Sequence, residues 1–362
     1  MKALAVSASA LSMVSERSHA VGPQQRRTAG VADALADLDL GAFFERRVSE
    51  LPGAEGVCGL VWQETLYRPL AQFLSRPGKL LRARLLNHGW RLVDGRGEPS
   101  PALCLLPEIL HSASLIVDDI QDGAECRRGG PALHRLIGPE RALNAANWLY
   151  FWPYTLLEEM PLPASRRRRA AQLITAALLD CHRGQALDLG VQVWTLPQQS
   201  VASLVAEQSR LKTGRLTALC TGLGALTAGG SARHVALLMR FGEQVGVALQ
   251  MLDDLTAVLP ARHDKGGEDL RFGRPTWVWS MAAQRCKERE YRMLTQQARA
   301  AAGGADWRPI CALLADIVGD AGLARAHETL AKAGDLLAAG SLPQAAVRDV
   351  MNDLAGLERA YG

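Results

Sequence analysis

Five aspartates in two short runs are the residues of this chain best suited to chemistry. The first run is Asp118-Asp119-Ile-Gln-Asp122, which follows the apolar stretch Leu115-Ile116-Val117; the second is Asp253-Asp254, preceded by Gln250-Met-Leu. At helical spacing Asp118 and Asp122 share one face a turn apart, with Asp119 beside them. Carboxylates this close repel by roughly 1 kcal/mol per pair in water, and by more at lower dielectric. A chain keeps them together where a cation offsets the repulsion. Hard oxygen ligands from only two segments suit Mg²⁺, which retains several waters and shares its shell with substrate phosphates.

Basic residues accompany the acids. Lys79 and Arg82 sit three apart after a break at Pro77-Gly78, Arg127 and Arg128 trail the first acid run, and Lys212 and Lys265 lie near or between the other elements. Each alone is an ordinary surface charge. Together with a divalent ion they are what a site needs to hold two diphosphates.

Helices must position these groups. In a chain of 362 residues, 48% hydrophobic and 5% aromatic, Ala and Leu dominate and apolar residues recur at helical spacing. That predicts an all-α fold in one large bundle rather than two domains. Helices are expected to begin near Asp39 and to cover 61–73, 79–92, 107–122, 144–157, 169–189, 200–226 and 234–259, with Pro107 in the first turn of its helix. Residues 277–361 read as packing helices broken at Gly303-Gly304, Gly319 and Gly340-Ser341. Residues 1–30, rich in Ala and Ser with Arg17, Arg26 and Arg27, read as a disordered tail ahead of a domain over 31–362. The apolar part of that tail is broken by serines, against a signal or transit peptide.

The net charge of +4 does not call for nucleic acid, and the run Arg166–Arg169 reads as a solvated loop or helix start. Seven cysteines without a Cys-x-x-Cys pair argue against zinc and for reduced thiols in a cytoplasmic protein. No apolar stretch is expected to span a membrane.

Over more than half its length the sequence resembles the trans-isoprenyl diphosphate synthases. The carriers are Glu108 through Asp122 with the trailing Arg127-Arg128-Gly-Gly-Pro131, then Gly184-Gln185-Ala-Leu-Asp188, Lys212-Thr213-Gly214, Gln250-Met-Leu-Asp253-Asp254, Lys265-Gly-Gly-Glu-Asp269, and Gly273-Arg274-Pro-Thr276. Pro77 to Arg82, Asn87-His88 and Asn144 to Phe151 are most similar to geranylgeranyl diphosphate synthases of animal and fungal type. Ala257 stands where most members have a third Asp, as that subtype often allows. Arg274 replaces the usual Lys, Leu249 a Phe before Gln250, and Thr217 a common Phe, which bears on substrate preference.

The resemblance implies an isoprenoid synthase bundle with a central apolar shaft, a homodimer, and three Mg²⁺ ions. Asp118, Asp122 and Asp253 would bind metal, with Asp119 and Asp254 as neighbouring ligands or water-holders. Arg127, Lys212, Lys265 and Arg274 would hold an allylic diphosphate, and Lys79, Arg82, His111 and Arg128 isopentenyl diphosphate. Thr213 and Gln250 would steady an allylic cation, with Gln185 and Asp188 in support. Ala113 and Ser114, about one turn below the acids, are small and admit a growing chain; Leu110 and Trp148 are candidates for the floor. The expected product is geranylgeranyl diphosphate. A farnesyl diphosphate synthase is the near alternative. A terpene cyclase is disfavoured because Leu-Thr-Ala-Val follows Asp254 where a second metal motif belongs, and a regulatory subunit because all three first acids are present.

Overall fold

The computed structural model describes residues 31, 35–52, 56–258 and 272–361, the last stretch with side chains as far as 356. The described residues are almost entirely helical, as expected. In chain order the helices are α1 (Leu40–Ser49), α2 (Gly56–Trp62), α3 (Arg68–Leu74), α4 (Leu81–Arg91), α5 (Pro101–Asp122), α6 (Leu133–Ile137), α7 (Pro139–Glu159), α8 (Ala164–Gly190), α9 (Gln198–Ser209), α10 (Arg215–Ala228), α11 (Ala232–Val258), α12 (Trp277–Arg285), α13 (Glu288–Ala302), α14 (Arg308–Ala338) and α15 (Gln344–Tyr361). Two-residue strands β1 (Cys126–Arg127) and β2 (Gly130–Pro131) pair antiparallel after α5.

The boundaries follow local chemistry. Asp39 caps α1, accepting the Ala42 N–H at 2.9 Å. Helix α5 starts earlier than the sequence suggested: Ser100 caps it, Pro101 occupies its first turn, and Pro107 lies inside. The buried run Leu103 to Leu106 extends the apolar face backwards, so packing outweighs the missing proline N–H. The expected helix 200–226 divides at a π turn, Arg210–Gly214, and a second π turn spans Gln63–Tyr67. Gly319 breaks α14 with φ 47°.

The central helices pack at very short range. A Cβ on Gly89 would lie 2.2 Å from the Thr221 carbonyl, and one on Gly224 would lie 2.0 Å from that of Leu86, so α4 and α10 meet through glycines. Helix α11 runs between α10 and α14. Among the described residues, α11 alone is long and apolar enough to cross a membrane by length and composition, contrary to the expectation of no such stretch; half of its apolar window is buried in this bundle.

Candidate active site

A cavity of about 350 Å³ opens where α5, α8, α11 and the Arg210–Gly214 turn converge. Along α5, one stripe of side chains faces it: His111, Ser114, Asp118 and Asp122. Asp253 and Asp254 approach from α11. A shallower outer groove of about 640 Å³ along α8, lined by Arg167, Arg168 and Leu179, contains none of the motif residues.

The charged end is densely cross-linked. Lys212 Nζ lies 2.7 Å from Asp188 Oδ2 and 3.4 Å from Asp118 Oδ1. It reaches them because Gly184 lets α8 pass against the Lys212 backbone, where a Cβ would come within 2.4 Å of the Lys212 N. Gln185 Nε2 donates to Asp118 Oδ1 at 2.9 Å, and Gln208 donates to Asp188. Arg274 donates to Asp122 Oδ1 at 2.7 Å and to the Asp188 carbonyl at 2.8 Å. Burial and the Asp118 charge raise the Asp122 pKa, against the pull of Arg274 and Lys212. Burial alone would lower the Lys212 pKa, but Asp118 and Asp188 hold it above its ordinary value. The π turn that presents Lys212 and Thr213 is braced by Thr217, whose hydroxyl donates to the Gly214 carbonyl at 2.9 Å. Thr213 donates to Gln250 Oε1 at 2.6 Å, and Gln250 Nε2 donates to Asp254 Oδ1 at 2.7 Å.

The two aspartate pairs each split. Asp118 and Asp253 face the cavity. Asp119 is fully buried, lies outside the cavity lining, and is held by Arg127 Nε at 2.8 Å. One residue along a helix is a rotation of about 100°, which carries Asp119 off the Asp118–Asp122 face. Asp254 touches the cavity, but it also accepts the Trp277 N–H at 2.6 Å and so caps α12. Asp118 and Asp122 from α5 and Asp253 from α11 offer hard carboxylate oxygens to the cavity, with charge crowded enough to perturb Asp122. Among the described residues no three such groups cluster closely enough to enclose an ion by themselves, so a divalent cation there would draw the rest of its shell from substrate and water.

Guanidinium groups gather at the other polar wall. Arg82, His111 and Arg127 line the cavity, and Arg128 lies just behind, its guanidinium 3.5 Å from where a Cβ on Gly78 would sit. Burial and the charges of Arg82, Arg128 and Arg127 press the His111 pKa well below its usual value, so the ring is neutral. Burial lowers the Arg128 pKa, Glu108 opposes this, and Arg82, Arg127 and Arg76 lower it further. Like charges gathered this way mark an anion site. Lys79 is exposed in the loop before α4 and does not line the cavity. Lys265 lies outside the described residues.

A sequence model of the polyprenyl synthetase family matches residues 63–314. The chain belongs to that family. It is 35% identical over 217 residues to the geranylgeranyl pyrophosphate synthase janG of Penicillium janthinellum, covering 57% of this chain and 54% of that one. To geranylgeranyl pyrophosphate synthase 2 of Zymoseptoria tritici it is 32% identical, over 59% of this chain and 62% of that one. The match thus spans about half to three fifths of those relatives' length. In fold it is similar to a decaprenyl diphosphate synthase from Rhodobacter capsulatus (TM-score 0.75, 22% identity, covering 91% of this chain and 97% of that one).

In this member of the family, the cavity end opposite the acids differs from what the sequence suggests. Ser114 does line it, its hydroxyl turned to the His111 carbonyl at 2.8 Å. Ala113 is fully buried in a separate cluster that also contains Ala142, Ala145 and Ala146 of α7. Leu110 is core, and Trp148 stacks on Trp152 with centroids 5.3 Å apart and packs edge-on to Phe44. Besides His111, the rings that line the cavity are Tyr150 and His182, with centroids 5.5 Å apart and Cys181 beside them. On α7, Trp148 and Trp152 share a face turned to α1, and the intervening Tyr150 points the other way. Leu249 and Thr217 are buried and do not line the cavity.

Proposed function

We propose that this chain catalyses head-to-tail prenyl transfer, joining isopentenyl diphosphate to an allylic diphosphate and releasing geranylgeranyl diphosphate. The observation that carries the reading is one cavity lined by carboxylates with Lys212 and Arg274, by guanidinium groups, and by a third stretch of wall made of Ser114, Leu115, Val117, Tyr150, Cys181 and His182. Two diphosphates and one growing hydrocarbon chain fit that lining. The names of the similar fungal proteins support the product.

Asp118, Asp122 and Asp253 would hold Mg²⁺, three ions when fully loaded, with Asp254 touching the same space. A divalent cation held there would supply Lewis-acid charge neutralisation to the diphosphate leaving group. Lys212, Arg274 and Arg127 take up the charge that develops on that diphosphate as the carbon–oxygen bond breaks. Arg82, Arg128 and neutral His111 hold isopentenyl diphosphate with its double bond towards the allylic cation. The double bond attacks, a carbon–carbon bond forms, and the departed diphosphate takes the proton lost. The Thr213 and Gln250 oxygens face the cation, and Asp254 holds the Gln250 amide. Asp119 acts through Arg127 in this reading rather than as a ligand. The chain elongates until its end meets Tyr150 and His182. Phe151 (71% exposed) and Leu179 (63%) supply an apolar outer face for a homodimer.

Incubation with Mg²⁺, isopentenyl diphosphate and the five-, ten- or fifteen-carbon allylic diphosphate, with products read by mass, tests the reading. Elongation to the twenty-carbon diphosphate is expected. Release of a cyclised hydrocarbon instead would favour a terpene cyclase.

A further inference from the structure

Helix α4 carries Arg82 in its first turn, and carboxylates from two other helices hold it. The helix starts from Leu80 in the left-handed region, φ 45°, with no side-chain cap of its own. Glu108 of α5, buried, accepts the N–H groups of Arg82 and Ala83 at 2.8 and 3.1 Å. One turn further, Asp353 of α15 binds Arg84 through one oxygen and His88 Nε2 through the other at 2.9 Å. His88 is buried, and burial with the Arg84 and Arg91 charges keeps its ring neutral. Its proton therefore sits on Nε2, donated to Asp353. Glycine contacts with α10 fix how close α4 lies, and Leu85 and Leu86 bury its apolar face in the core. The Glu108 and Asp353 carboxylates anchor its polar side, at the first turn to α5 and one turn on to α15. Arg82 Nε is buried without a hydrogen-bond partner among the described residues, so its guanidinium is held in place by the helix that carries it.

We propose that Asp353 is a positioning residue for isopentenyl diphosphate, which makes α15 a working part of that half of the site. The proposal rests on the assignment of Arg82 to isopentenyl diphosphate. Asp353 shares no member with the Lys212–Asp188–Arg274 network, so its loss bears on one diphosphate and not on the other.

Calorimetry on the full chain with Mg²⁺, titrating isopentenyl diphosphate alone or farnesyl diphosphate alone, tests it. Asp353→Asn is expected to weaken isopentenyl diphosphate binding at least about fivefold and to change farnesyl diphosphate binding less than about twofold. Asp353→Glu, which keeps the charge, is expected to recover part of the loss. Leu314→Ala, a cavity in a distant part of the core, is the control for general destabilisation and should spare both ligands. If Asp353→Asn does not fold, Arg84→Gln, which leaves the His88 contact, should shift the same ligand in the same direction. Equal weakening of both ligands, or of neither, overturns the proposal. Arg82→Ala separates the two levels: if it weakens isopentenyl diphosphate and Asp353→Asn does not, only the positioning role falls; if Arg82→Ala has no effect, the assignment of the half-site falls with it.

Discussion

The two ends of the cavity are built on different principles. At the charged end, α5, α8, the Arg210–Gly214 turn and the Arg274 segment contribute side chains that bond one another: Gln185 to Asp118, Lys212 to Asp188, Arg274 to Asp122. At the other end, Ser114, Tyr150, Cys181 and His182 line the cavity without hydrogen bonds to one another; Ser114 and His182 bond instead to carbonyls of their own helices. Networks of ionised hydrogen bonds tolerate little change, whereas an apolar wall can be recut. The charged end should therefore decide whether reaction occurs, and the apolar end when it stops.

The largest effect expected is at the charged end. Asp118→Ala or Asp253→Ala should lower turnover by about a thousandfold or more while the protein stays folded, since each removes a metal-facing carboxylate without opening a core cavity. Steady-state rates with a thermal melt check this; near-normal activity in Asp118→Ala would break the contrast. Next, Lys212→Ala should raise the KM for the allylic diphosphate and lower kcat. Arg82→Ala should raise mainly the KM for isopentenyl diphosphate, by about tenfold or more. Both KM values measured for each variant sharpen the division between walls. At the apolar end, Ser114→Phe should shorten the product to fifteen carbons or fewer with kcat changed only a few-fold, because a ring there fills the path of the later isoprene units. Mass analysis of the product decides it.

The smallest effect is read in stability. Burial and the charges of Arg84 and Arg91 bring His88 from 6.5 down to about 3. Between those values the unfolded chain binds a proton there and the folded chain does not, so stability falls as pH drops from about 6.5 towards 3. His88→Gln should flatten that part of a denaturation-versus-pH curve, by a few kcal/mol at most.

Much of the charged end was legible in the sequence because its acids and bases lie in short motifs whose spacing fixes a helical face. The split of each Asp pair was not. Asp119 is claimed by Arg127 across the turn that follows α5, and Asp254 by an N–H some twenty residues on, at Trp277. Leu110 and Trp148 do not line the cavity: α7 carries aromatic side chains at 148, 150, 151, 152 and 154, and periodicity alone does not say which face meets it. Pro107 reads locally as a helix start, but the packing of Leu103 to Leu106 carries the helix through it. The His88–Asp353 contact joins residues 265 apart, and no local pattern announces it.

The division between the two ends is tested most directly by the product masses of the unmodified protein and of Tyr150→Ala, side by side, with farnesyl diphosphate, isopentenyl diphosphate and Mg²⁺. A twenty-carbon diphosphate is expected from the first, and longer chains at a rate within several-fold from the second. An unchanged product from Tyr150→Ala, or loss of elongation altogether, would contradict it.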